Sequence, residues 1–167
     1  MLAVCGSLLL TFSAKFSVPY WPVPMTMQTF VVLTLGMLYG WRHATAAVLL
    51  YLGEGAVGLS VFAGGGGMAY MAGPTGGYLL GFLVAAAAAG FMAERGMDKN
   101  FLLAFVALLI ADMLVFVFGV GWLAKFIGVE KALTAGLTPF LFGELSKITL
   151  AAAIVVGCRK FAPQPRD

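Results

Sequence analysis

From Phe101 to Trp122 the chain is apolar with a single charged interruption, Asp112. A helix needs roughly 20 apolar residues to cross a bilayer, so this stretch predicts a membrane span. Other apolar segments fall at 2–17, 26–41, 44–61, 78–93 and 139–158. At roughly 20 residues each, six spans use most of the 167 residues and leave short connections. Only 10% of residues are charged and 62% are hydrophobic, whereas a soluble domain carries about 25% charge. The expected fold is an all-α membrane protein, a six-transmembrane-helix bundle forming one integral-membrane domain over 1–167. A β-barrel would alternate apolar and polar residues, but Leu83–Gly90 and Leu102–Ala111 are apolar on every side.

The connections are legible as breaks. Pro19, Pro22 and Pro24 separate the first two spans. Gly40-Trp41-Arg42-His43 forms a short charged hinge suited to an antiparallel helix pair. A Gly-rich outer loop at 63–77 lies between helices 3 and 4. Thr138 is placed as N-cap of the last helix, with Pro139 at its first position. With both termini in the cytoplasm, Arg42, Arg95, Lys99, Arg159, Lys160 and Arg166 lie inside, and Lys15, Lys125 and Lys131 outside. That bias obeys the positive-inside rule. Gly36 and Gly40, Gly77 and Gly81, and Ala85 and Ala89 put small residues one turn apart, which lets helix backbones approach within a bundle. Tyr20, Trp21, Tyr39, Trp41 and Trp122 flank the spans as interfacial aromatics, and Tyr20 and Trp21 also suit the cover of an outward pocket.

Several functions are excluded or disfavoured. The net charge of +3 is small and its carriers scattered, so no nucleic-acid footprint exists. Cys5 and Cys158 lack metal-like spacing and read as apolar packers, and His43 alone builds no metal site. The Gly-rich stretches lack the Gly-Lys-Ser/Thr ending of an ATP-binding loop. Gly53–Gly58 matches G-x-G-x-x-G but has no βαβ context. No nucleophile–base pair is evident, so no enzyme and no cofactor are expected.

The chemistry-bearing residues are the charges within spans: Glu54, Asp112, Glu144 and Lys147. Each costs about 2.5–3.5 kcal/mol at a helix centre and must meet a partner, water or ligand. Glu144 and Lys147, three residues apart, share a helix face. Measured from Pro139, Lys147 sits ~12 Å along the helix, near the middle of a ~30 Å hydrocarbon core. The pair reads equally as a self-satisfied ion pair or as a polar clamp for a small solute. Glu54 and Asp112 are weaker candidates. The glycines of 62–67 and 73–77 permit close backbone approach to a ligand and a mobile lid.

Three strings carry a resemblance: Val23-Pro24-Met25-Thr26-Met27-Gln28-Thr29, Val61-Phe62-Ala63-Gly64-Gly65, and Gly73-Pro74-Thr75-Gly76-Gly77-Tyr78-Leu79-Leu80-Gly81-Phe82. With Pro139–Lys147, they resemble the BioY family, the biotin-specific substrate-binding S-components of energy-coupling factor (ECF) transporters. The resemblance implies a six-helix bundle in a prokaryotic plasma membrane that takes biotin from outside. It implies a transmembrane scaffold subunit and two ATPase subunits as partners. Ligand contact carries over to Glu144 and Lys147, and more loosely to Thr75, Gly76, Tyr78, Phe82 and Gln28. The family's acid is commonly Asp, so Glu144 adds a methylene. Scaffold docking through small residues on the first helix maps to Ala3 and Ser7, with Ser7 in place of alanine. A carboxylate can accept the ureido N–H groups of biotin, and a lysine can donate to its carbonyl or its tail carboxylate. The alternative is a stand-alone proton-coupled carrier using Glu54, Asp112 or Glu144 as relays.

Overall fold

The structure, a computed structural model, describes residues 1–161. Arg166, counted above among the inner basic residues, lies outside them. Helix α1 (Leu2–Lys15) leads into a two-stranded ribbon, β1 (Ser17–Val18) with β2 (Met25–Thr26). There follow α2 (Gln28–Ala56), α3 (Met68–Ala72), α4 (Gly76–Met92), α5 (Phe101–Ile127), α6 (Val129–Gly136) and α7 (Leu141–Phe161). Three described stretches are long and apolar enough to cross a membrane: Gly76–Met97, Phe101–Ile127 and Val129–Lys160. The short α1 is apolar as well.

The second and third expected spans form the two halves of α2. If α2 were straight, Gln28 and Tyr51 would lie about 35 Å apart. Instead Gln28 Nε2 donates to the Tyr51 hydroxyl at 2.6 Å, so the helix folds back on itself. The fold-back is at Gly40, with φ 75° and ψ 167°. The expected four-residue hinge is thus one residue, and Trp41, Arg42 and His43 are already helical. Glu94 accepts from the Trp41 N–H at 3.2 Å, so the break does not strand that donor. A side chain at Gly40 would adopt a conformation open essentially to glycine alone, costing about 1–3 kcal/mol. Gly40→Ala should therefore lower the thermal midpoint of the detergent-solubilised chain by roughly 2–10 °C.

The small-residue pairs pack the bundle internally. Gly36 lies against Ala89, and Gly81 against the Val115 backbone, which joins α2 to α4 and α4 to α5. At one end of the bundle, Arg159 bonds Asp98 and Trp41 bonds Glu94. At the other, Lys15 Nζ donates to the Ser60 and Phe62 carbonyls at 2.7 and 2.9 Å, and Trp122 Nε1 donates to the Gly73 carbonyl at 3.0 Å.

Two local expectations need correction. Thr138 does not cap the last helix: its hydroxyl donates to the Leu133 carbonyl at 3.2 Å, and a 3-10 turn over Thr138–Phe140 precedes α7. Cys5 and Cys158 are free and exposed on the bundle surface rather than packed inside it. The proline segment separates the first two helices and is flanked by a strand pairing, Ser17 with Thr26 and Val18 with Met25.

Candidate functional site

The Glu144–Lys147 pair lies on the first two turns of α7, with Glu144 4% and Lys147 8% exposed. Lys147 Nζ donates to Glu144 Oε1 at 2.8 Å, to the Thr26 carbonyl at 2.5 Å and to Thr29 Oγ1 at 3.1 Å. An ammonium has three donors, so all of them are engaged within the protein. The other carboxylate oxygen, Glu144 Oε2, is buried with no donor. An unmet buried polar atom costs about 1–3 kcal/mol, so this acceptor suits a donor from water or from a ligand.

Glu144 forms the polar tip of a cavity of about 30 Å³, room for about one water. Its wall includes Gln28, Thr75, Tyr78 and Phe82, all expected from the sequence. Lys147 stands behind the wall, braced on Thr26 and Thr29, which line it. Gly76 is buried but is not part of the lining; its Cα faces the Met71 carbonyl. Gln28 is held at both ends of its amide, donating to Tyr51 and accepting from Thr26 Oγ1 at 3.2 Å. The Tyr78 hydroxyl donates to the Gly136 carbonyl at 2.7 Å, so its ring, not its hydroxyl, is what the cavity meets.

The Gly-rich segment supplies one side of the cavity through Phe62, Ala63, Tyr70 and Thr75. Phe62 stacks on Tyr70 with ring centroids 5.3 Å apart and meets Tyr51 edge-on at 5.3 Å. It comes so close to Gly55 that a Cβ there would enter its ring. This close approach, and not a nucleotide, accounts for a glycine of the G-x-G-x-x-G string.

Sequence reasoning missed Tyr70, Phe116 and Phe140 in the wall. Phe116 carried a usable signal, one turn beyond Asp112 on the same face; Tyr70 had none beyond its place in a Gly-rich segment. Glu54 has a structural partner, accepting from the Ser7 hydroxyl. Ser7 is fully buried, so it faces the bundle and its side chain is closed to a docking partner. The exposed face of α1 carries Leu2, Val4, Leu8, Leu9 and Phe12. Tyr20 and Trp21 stay exposed and outside the cavity wall.

Membrane-length helices around an internal, mostly apolar cavity with one charged tip define a helical-bundle integral membrane protein. The chain belongs to the BioY family, whose model matches residues 1–164. It is 37% identical over 147 residues to a protein described as "Probable biotin transporter BioY" of Pyrococcus horikoshii, covering 87% of this chain and 86% of the relative. It is 36% identical over 155 residues to "Biotin transporter BioY" of Thermotoga maritima, covering 91% and 90%. Among solved structures it resembles the S-component for biotin from an ECF-type ABC transporter, with a TM-score of 0.85 and 25% identity over 95% of this chain and 88% of that one.

Proposed function

We propose that this chain is a single-domain, biotin-binding membrane subunit that mediates biotin uptake with an ECF scaffold subunit and two ATPase subunits. The observation that carries the reading is Glu144 Oε2, a buried acceptor at the cavity tip that lacks a donor. Biotin brings two ureido N–H donors and an apolar sulfur ring suited to Phe82, Phe116 and Phe140. Its tail carboxylate is repelled by Glu144, and the Lys147 donors are already used. The ureido end therefore meets Glu144, and Lys147 fixes the position and charge of that carboxylate.

Ligand sites occupy about 300–1,000 Å³, so the 30 Å³ cavity must widen to admit biotin. The segment from Gly58 to Tyr70 is the wall suited to part, with positive φ at Gly58, Gly65 and Gly67. Lys15 holds it shut through the Ser60 and Phe62 carbonyls. Lys15→Ala should speed biotin release about three- to tenfold, by analogy with loss of an exposed charged hydrogen bond, in a chase with unlabelled biotin. Unchanged release would remove this segment as the gate.

Basic residues gather at the bundle end marked by Trp41–Arg42, Glu94–Arg95 and Asp98–Arg159. We place that end, with both termini, at the cytoplasmic face of a prokaryotic plasma membrane. The test of function is titration of the detergent-purified chain with biotin, thiamine and riboflavin. Saturable binding of biotin alone is expected; equal binding of all three, or none, contradicts the reading.

A further inference from the structure

Glu144 and Phe116 wall the small cavity on one side and a much larger space on the other. This second space, a groove of about 520 Å³, lies among α5, α6 and α7, within the range of about 300–1,000 Å³ usual for small-molecule sites. Leu137 and Ile148 make its sides apolar, and Asp112 joins Glu144 as its polar surface. Met113 and Val117, also in its lining, are 58% and 66% exposed, so the groove opens on the flank of the bundle.

Asp112, like Glu144, is 4% exposed. Its Oδ1 is buried with no donor, as is Glu144 Oε2. Asp112 lies within electrostatic reach of Glu144 and Lys147, but the three Lys147 donors go to Glu144, Thr26 and Thr29. Asp112 and Glu144 therefore line one apolar groove, each with a buried carboxylate oxygen that has no donor. An acyl chain resting there would leave both unmet and desolvated, which is costly. A rigid solute with two neighbouring N–H donors would meet both.

We propose that the biotin site extends past Phe116 into the α5–α7 groove, where Asp112 accepts one ureido N–H and Glu144 the other. This rests on the biotin reading above and adds a residue to it. Phe116 is the partition between the two spaces; turning aside, it joins them. Asp112 then sets specificity, because a cyclic urea with an N–H on both nitrogens satisfies the two acceptors and an N-substituted one leaves one unmet.

The test is a set of titrations on the full detergent-purified chain. Wild type, Asp112→Leu and Asp112→Asn are each titrated with biotin and with the two N-methyl biotins, one per ureido nitrogen. Asp112→Leu is nearly isosteric and removes the orphan oxygen, so it keeps the fold, which its melting curve checks. It should weaken biotin binding about three- to tenfold, the scale of one neutral hydrogen bond. For one N-methyl biotin the same substitution should change affinity less than about twofold, since that bond is already absent. Asp112→Asn, which retains a carbonyl acceptor, should recover much of the biotin affinity. An equal loss for all three ligands would make Asp112 a structural group and overturn the proposal. So would undiminished biotin binding by Asp112→Leu, as expected if a lipid or detergent chain fills the groove. Failure of the wild-type chain to bind biotin would instead sink the functional reading itself.

Discussion

Replacing Lys147 by alanine should weaken biotin binding by about 30- to 4,000-fold, the equivalent of about 2–5 kcal/mol for truncating one partner of a buried charge pair. The loss arises even though the ammonium does not touch the cavity. Without Lys147, the Glu144 carboxylate keeps its burial but loses its countercharge. A carboxylate buried in low dielectric without a partner is costly to hold, and nothing then fixes its free oxygen toward the ligand. The Thr26 carbonyl and Thr29 hydroxyl also lose their donor, which loosens β2 and the start of α2 beside the site. Titration in the same detergent as wild type reads the effect. Wild-type affinity would mean that the pair stands apart from the ligand.

Glu144→Gln should cost about a hundredfold in affinity, roughly 3 kcal/mol on the scale of charged hydrogen bonds. The glutamine has the same shape, so the cavity wall it shares with Phe116 and Phe140 survives. One amide end must face Lys147 and the other the ligand. The oxygen goes to the ammonium, which leaves an NH₂ donor opposed to the ureido N–H donors. Calorimetry should show a loss of affinity, alongside a lower melting temperature because the buried Lys147 loses its countercharge. An affinity within about threefold of wild type would deny Glu144 its acceptor role. Glu144→Asp tests the reach of the longer side chain: a shorter acid should still accept, with a smaller penalty.

Much of the bundle is legible because lipid imposes a simple rule on the chain. Apolar runs mark the helices, and glycine or proline marks their ends. The fold-back at Gly40 was visible as a break, but its sharpness depends on Glu94, distant in sequence, accepting the Trp41 N–H. The β1–β2 ribbon was not legible, since paired segments of two residues have no periodicity to read. Thr138 illustrates a local signal overridden by a neighbour: a good capping residue spent its hydroxyl on the Leu133 carbonyl of α6.

At the site, charge in an apolar span was the strongest clue. It identified Glu144 and Lys147 as a pair but could not assign their separate roles. Those roles depend on Thr26 and Thr29, which occupy the lysine, and on the orphan oxygen that remains. Spacing alone also could not distinguish Glu54 from Asp112. Ser7 satisfies the first, whereas a carboxylate oxygen of the second lacks a donor. Ser7 shows the same limit in reverse: a helical repeat of small residues does not say which face turns outward.

The most direct measurement is a biotin-bound structure of the wild-type chain at a resolution that orients the bicyclic ring. The account predicts a ureido nitrogen about 2.7–3.2 Å from a Glu144 carboxylate oxygen, with Lys147 still bonded to Thr26 and Thr29. Biotin bound with its ureido ring away from α7, and with Glu144 screened from it, would contradict the account.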